Sequence, residues 1–190
     1  MDWDTINNIW IEFCSRHGLE LKNTDQHLII NKRQTYSTVE SINSYIIYYK
    51  YVFFKLDTID VGNEFRIAIP IETAVSISIS RPNLIIRTIQ NKKINYSTDL
   101  IKLDSNTENK IIRLFNNFSD LKISITKIQI NSDDQFKNNT TILELTTKQL
   151  PQEIEQIEEL RILNINILKE LIAKKVIKVS KYNQTKTICL

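Results

Sequence analysis

Cys14 and His17 stand three residues apart, a spacing that sets a thiol beside a base on one side of a helix. A thiolate–imidazole pair of this kind would be a nucleophile with its general base. The same two residues flank an apolar stripe formed by Trp3, Ile6, Trp10, Phe13 and His17, so packing at the edge of a core is the expected role for both. The chain holds two cysteines and two histidines in all, which does not complete a usual zinc site. Carboxylates recur at Asp133-Asp134 and along Glu153 to Glu159. An acid–base pair needs burial to move its pKa values, and these residues fall where a solvated loop and the first turns of a helix are expected. The segment Asp57 to Glu64 has the oxygen ligands of a calcium loop but not their spacing, so it reads as a turn pivoting on Gly62. Gly18 and Gly62 are the only glycines, too few for a dinucleotide fingerprint or a P-loop. No Gly-x-Ser-x-Gly elbow occurs. On these grounds no catalytic, cofactor-binding or metal-ligating residue is assigned, and no cofactor is expected.

Two kinds of binding chemistry remain. The C-terminal segment carries Lys169, Lys174, Lys175, Lys178, Lys181 and Lys186. Of these, Lys174, Lys175, Lys178 and Lys181 are the candidate contacts to nucleic-acid phosphate. The acidic residues upstream and the absence of arginine in the tail oppose that reading. The run Tyr45 to Leu56 holds six of the sixteen aromatic residues and would serve either as core or as a base-stacking platform. Core is the expected use, because only Lys50 and Lys55 flank it with positive charge. For a protein partner, the candidate surfaces are the polar loop Asn131 to Asn139, with Asp133 and Asp134, and the helix from Glu153 to Lys175. On that helix Glu155 and Glu159 would face the partner and Asn164 would set the register. The competing use of its apolar face is to cover the sheet.

A chain of 190 residues can bury a substantial core without disulfides or metals. With 42% hydrophobic and 25% charged residues it has the composition of a globular protein. A net charge of +3 does not by itself call for a nucleic-acid or membrane partner. Abundant Ile, Asn, Lys and Thr with scarce Gly and Pro fit an AT-rich bacterial or viral genome. Cys14 and Cys189, at opposite ends, suit free thiols in a reducing cytoplasm. MDWDTINN does not read as a secretion signal, and the Tyr45 to Leu56 run is too short to span a bilayer.

The elements that would position these residues follow from periodicity. A helix is predicted from about Asp4 to His17, closed by Gly18. His27 to Asn31 and Thr35 to Glu40 are short strand candidates, and Tyr45 to Leu56 reads as one central strand. Phe65, Ile67 and Ile69 alternate, and Pro70 implies an end, a bulge or an edge there. Val75 to Ile89 reads as a β-hairpin turning at Arg81-Pro82-Asn83. Leu100 to Leu103 is another strand candidate. Ser105 and Glu108 have capping-box spacing ahead of a helix through Ile111, Ile112, Leu114, Phe115 and Phe118. Leu121, Ile123 and Ile125 alternate, and the change of parity at Ile128 and Ile130 suggests a bulge near Thr126-Lys127. Thr140 to Thr146 returns as the second strand of a hairpin. Pro151 opens a long helix, and Val176 to Leu190 reads as a short strand or a flexible tail.

This order of elements from Phe65 to Ala173 resembles uncharacterised bacterial α+β domains. Those carry a similar hydrophobic segment ahead of a helix starting at a Ser-Asn step, here Ile101-Lys102-Leu103-Asp104-Ser105-Asn106. The resemblance implies the architecture and no activity or site residues. Many such domains are membrane-attached, and this chain departs from them in having no transmembrane segment in its sequence.

The expectation is therefore one α+β domain over 1–190, a mainly antiparallel sheet covered by N-terminal, central and C-terminal helices. The expected function is a non-enzymatic cytoplasmic module that binds another protein, such as an immunity-type inhibitor or an accessory subunit of a complex. Nucleic-acid binding through the lysines and an unrecognised enzyme are the alternatives.

Overall fold

The structure is a computed structural model, and it describes residues 3–17, 22–26, 30–32, 35–37, 40–49, 52–59, 64–98, 100–127 and 141–179. It is an α+β fold. In chain order the elements are α1 (Trp3–Arg16), β1 (Lys22–Gln26), β2 (Ile30–Lys32), β3 (Thr35–Ser37), β4 (Glu40–Tyr49), β5 (Val52–Ile59), β6 (Glu64–Glu72) and β7 (Ile77–Ser80). They continue with α2 (Leu84–Gln90), β8 (Asn95–Tyr96), α3 (Ser105–Asn117), β9 (Lys122–Lys127), β10 (Thr141–Thr147), α4 (Ile154–Ala173) and β11 (Lys178–Val179). The main sheet runs β1-β4-β5-β6-β10-β9-β7-β8, with β11 added to β6, and its pairings are antiparallel.

The register explains why the alternating pattern is so regular. Ile79, Ile123, Leu145 and Ile67 stand in one cross-strand row, and Ile77, Ile125, Leu143 and Ile69 in the next. All eight are buried in one cluster with Ile111, Leu114 and Phe115 of α3 and Ile157, Leu160, Leu163, Ile167, Leu168 and Leu171 of α4. Aligned aliphatic rows of this kind are the unit of sheet stabilisation, and the two helices remove them from water. Phe13 of α1 joins the same cluster. On the other face, Arg66 and Glu144 approach to 3.9 Å, and the Ser124 hydroxyl donates to Glu144 at 3.5 Å.

Several expectations are corrected. Val75 to Ile89 is not a hairpin: β7 pairs with β9 and β8, while Leu84–Gln90 is helical. The reason is the turn itself, since Asn83 Oδ1 accepts a hydrogen bond from Ile86 N at 2.8 Å and so acts as an N-cap rather than a hairpin corner. Tyr45 to Leu56 is not one strand but parts of β4 and β5, which face each other from Tyr49 and Val52 back to Ile42 and Ile59. Leu100 to Leu103 forms no strand, although Ile101 and Leu103 are buried and Leu100 is exposed. No bulge interrupts β9 through Lys127, whose pairing with β10 is continuous from Lys122↔Thr146 to Lys127↔Thr141. Ile128 and Ile130 lie outside the described residues, as do Gly18, His27, Gly62 and the loop 131–139.

Pro70 lies where β6 is locally an edge, with a partner on one flank only. It sits in β6 opposite Ile142 of β10, at the place where the β5 ladder has stopped at Ala68 and β11 has yet to join at Ile71. A residue without an N–H is tolerated where one flank of the strand has no partner. The Ser105 cap is also corrected: the N-cap of α3 is Asp104, whose side chain makes no capping bond. Pro151 precedes α4 by three residues and is buried, and the N-cap is Glu153.

Candidate functional site

Among the described residues, those singled out from sequence do not come together. Glu155 accepts from Arg16 at 3.3 Å, and Glu159 from Arg113 at 3.0 Å, so both are spent on ion pairs that tie α4 to α1 and α3. The Glu155 carboxyl is held below its usual range by its own backbone amide and then by Arg16. Asn164 is fully buried among the apolar residues of α4. Lys174 bonds Asp104 at 2.9 Å and Glu170 at 2.7 Å, and donates to the Lys102 carbonyl. Against the opposing effect of burial, those carboxylates raise the Lys174 pKa. Lys175 and Lys178 are exposed, while Asp133, Asp134 and Lys181 lie outside the described residues. His17 bonds Glu158 and packs against Phe13, ring centres 4.6 Å apart and planes inclined at 45°, a structural placement; the side chain of Cys14 lies outside the described residues.

Among the described residues, a region with unpaired cations and exposed apolar side chains lies at the β7–β8 end of the sheet. Leaving β7, the chain passes Arg81, whose Nη1 donates to the Phe115 carbonyl at 3.0 Å and ties the turn to α3. After the Asn83 cap comes α2, seven residues long and with none of them buried. Leu84, Ile85 and Ile89 are 69%, 68% and 77% exposed. Asn91 closes the helix with φ 49°, a left-handed conformation that asparagine accepts more readily than most residues. Lys92 and Lys93 follow, and β8 then pairs back on β7, with Ser97 N donating to Ser78 O at 2.9 Å.

This excursion leaves a cleft against α3. A cavity of about 230 Å³ is lined by Arg81, Arg87, Asn91, Lys92, Lys93, Ile112, Phe115 and Asn116. Adjoining it, and sharing Lys92, Lys93 and Ile112, is a second of about 480 Å³ that adds Ile94, Tyr96, Lys102, Ser105, Glu108 and Asn109. Five cations therefore line the two cavities against one carboxylate. That carboxylate, Glu108, is committed to the Tyr96 hydroxyl at 2.7 Å. Burial, and then this bond, pushes the Tyr96 phenol well above the usual tyrosine range. Among the described residues none of Arg81, Arg87, Lys92, Lys93 and Lys102 forms an ion pair. Arg87 Nε is shielded from solvent and has no hydrogen-bond partner there. An unneutralised cluster of this kind is an anion-binding environment.

Sequence reasoning missed this site because its cations are spread over a turn, a helix, a linker and a loop. Reading Leu84 to Ile89 as a strand hid the one signal available, that Asn83 stands three residues ahead of Ile86 and could cap a helix. Among the described residues no group of three or more His, Cys, Asp or Glu converges as a metal site, and no helix is long and apolar enough to cross a membrane. Comparison of the chain with protein-family models, curated proteins and solved structures found no match in any of the three.

Proposed function

We propose that the chain is a non-enzymatic protein-binding module, an inhibitor or an accessory subunit, which docks through α2 and the adjoining basic cleft. The observation that carries this is the exposure of Leu84, Ile85 and Ile89 together on a helix with no fully buried residue. Large apolar side chains grouped on one exposed element, rimmed by polar residues, mark a contact surface more often than an ordinary one. The charge beside them selects the occupant. Arg87, Lys92 and Lys93 flank the apolar ridge, so the complementary partner presents apolar residues next to carboxylates or other anions. The surface expected on α4 gives way to this one, because Glu155 and Glu159 are paired within the chain and Asn164 is inside it.

The test is affinity purification from the host at moderate salt, with the unaltered chain and a Leu84→Ser/Ile85→Ser/Ile89→Ser variant side by side. These residues contribute little to the core, so the variant should keep its stability to within about 0.5 kcal/mol. A stoichiometric acidic protein that accompanies the unaltered chain and is lost with the variant supports the reading. A partner retained by the variant, or purification of the unaltered chain alone, overturns it.

A further inference from the structure

The cavity beneath α2 supports a more specific inference, which concerns that cavity alone and holds whether or not α2 docks a protein. We propose that it is a binding site for a phosphoryl group, held between Arg81 and Arg87 with Lys92 and Lys93 at its mouth. Three observations converge. Four cations and the amides Asn91 and Asn116 line a space of about 230 Å³ in which no carboxylate takes part. Like charges collected this closely repel one another, and an anion of charge near −2 relieves that repulsion more than a monoanion does. The two guanidinium groups are unequal in a useful way. Arg81 is anchored by its Nη1 bond to Phe115 O, which fixes its plane. Arg87 lines the same cavity and carries an Nε with no partner among the described residues, an unsatisfied donor closed to solvent that a turn of the side chain would offer to an incoming oxygen. Guanidinium forks match the oxygens of a phosphoryl group in pairs.

The same cleft disfavours nucleic acid as the source of the phosphate. Phe115 is the one aromatic residue that lines this cavity and it is buried, so the cavity itself offers no open aromatic platform on which a base could stack. The phosphoryl group therefore comes either from a small phosphorylated compound or from a phosphorylated side chain of a partner protein.

The test is a titration of the full chain, followed by the arginine Nε–H resonances in ¹H–¹⁵N spectra at constant ionic strength. The Arg87 signal is assigned by its loss in Arg87→Gln. Inorganic phosphate should shift it saturably, while acetate and chloride should not. Arg81→Gln, read at the Arg87 signal, and Arg87→Gln, read at backbone amides of residues 91–93, should each weaken phosphate at least about tenfold. Lys93→Gln, at an exposed position, gives a weakened response that does not depend on the arginine variants folding. A Gly-phosphoserine-Gly peptide that binds tighter than AMP places the phosphate on a partner's side chain. The reverse order places it on a free compound, and either order upholds the site. A phosphate response equal to that of acetate, or one that survives all three substitutions, overturns it. No partner protein is present in the titration, so its failure leaves the docking role of α2 standing, and loss of docking leaves the phosphoryl site standing.

Discussion

Glu170, in the last turn of α4, accepts a hydrogen bond at 2.5 Å from the backbone amide of Asp104, the N-cap residue of α3. The same Oε1 accepts from Lys174 Nζ at 2.7 Å, and Lys174 in turn bonds the Asp104 carboxylate. The start of α3 is thus capped by another helix. Its own Glu108, which capping-box spacing aims back at Ser105, is turned to Tyr96 instead. An acidic group at a helix N-terminus also complements the helix dipole.

Glu170 is nearly buried, with a side chain 8% exposed, so its removal leaves the Asp104 backbone donor without its acceptor and takes one of three partners from the Lys174 ammonium. Glu170→Ala should cost about 1 to 3 kcal/mol in urea denaturation. Lys174→Met should cost about 1 kcal/mol or less, since that side chain is a third exposed and its ion pairs are screened. If the lysine variant proves the more damaging, the cap is not what joins α3 to α4.

Asn164 has no exposed surface, and neither its Oδ1 nor its Nδ2 has a hydrogen-bond partner among the described residues. A buried amide without partners is a cost that an apolar residue of similar size removes. Asn164→Leu should therefore raise stability by about 1 to 2 kcal/mol, measured as a higher urea midpoint with an unchanged slope. Loss of stability would mean that the amide is satisfied after all, for instance by an internal water.

Tyr96 donates to Glu108 and accepts from Leu103 N at 3.2 Å. Its folded pKa is raised, so the folded chain keeps the phenolic proton after the unfolded chain has lost it. The corresponding stability is complete below the ordinary tyrosine value of about 10 and declines as pH rises above it. Lys174, also raised, loses its contribution in the same direction. The Tyr96 share is isolated by comparison with Tyr96→Phe. That variant should be about 1 kcal/mol less stable at pH 7 and should close the gap to the parent between pH 10 and 12. A gap that stays constant across that range would refute the linkage.

The elements that periodicity located best are those whose apolar face meets the core: α1, α3, α4, and the β9–β10 hairpin with Ile123 and Ile125. Alternation alone reports burial and not pairing. Ile101 and Leu103 show this, since they point into the core from a segment that joins no ladder. Composition failed where β-branched residues lie in a short helix with no fully buried residue. In Leu84–Gln90 the deciding interactions are local, the Asn83 cap and the Thr88 hydroxyl on Leu84 O, and neither leaves a hydrophobic period. The division of Tyr45 to Leu56 into two strands escaped for a related reason, because the run carries no glycine, proline or asparagine to mark a break. The cleft was invisible for want of topology: Arg81, Arg87, Lys92 and Lys93 meet Lys102 only once β8 has folded back onto β7.

Lys175 occupies a position that glycine usually holds. It follows the C-cap of α4 with φ 59°, donating its N–H to Ile172 O while Val176 N donates to Leu171 O, both at 2.9 Å. This is the bond pattern of a Schellman motif, with Val176 against the core as its apolar contact. A side chain in the left-handed region costs about 1 to 2 kcal/mol. Glycine avoids that cost but loses more freedom on folding, so Lys175→Gly should be stabilising by a net of about 0.5 to 1 kcal/mol. Lys175→Ala, which keeps the Cβ and removes the rest of the exposed side chain with its charge, should change little. Thermal denaturation of the two variants separates the conformational effect from the electrostatic one. An alanine variant as stable as the glycine variant would show that the lysine side chain beyond Cβ, and not its backbone conformation, sets the cost.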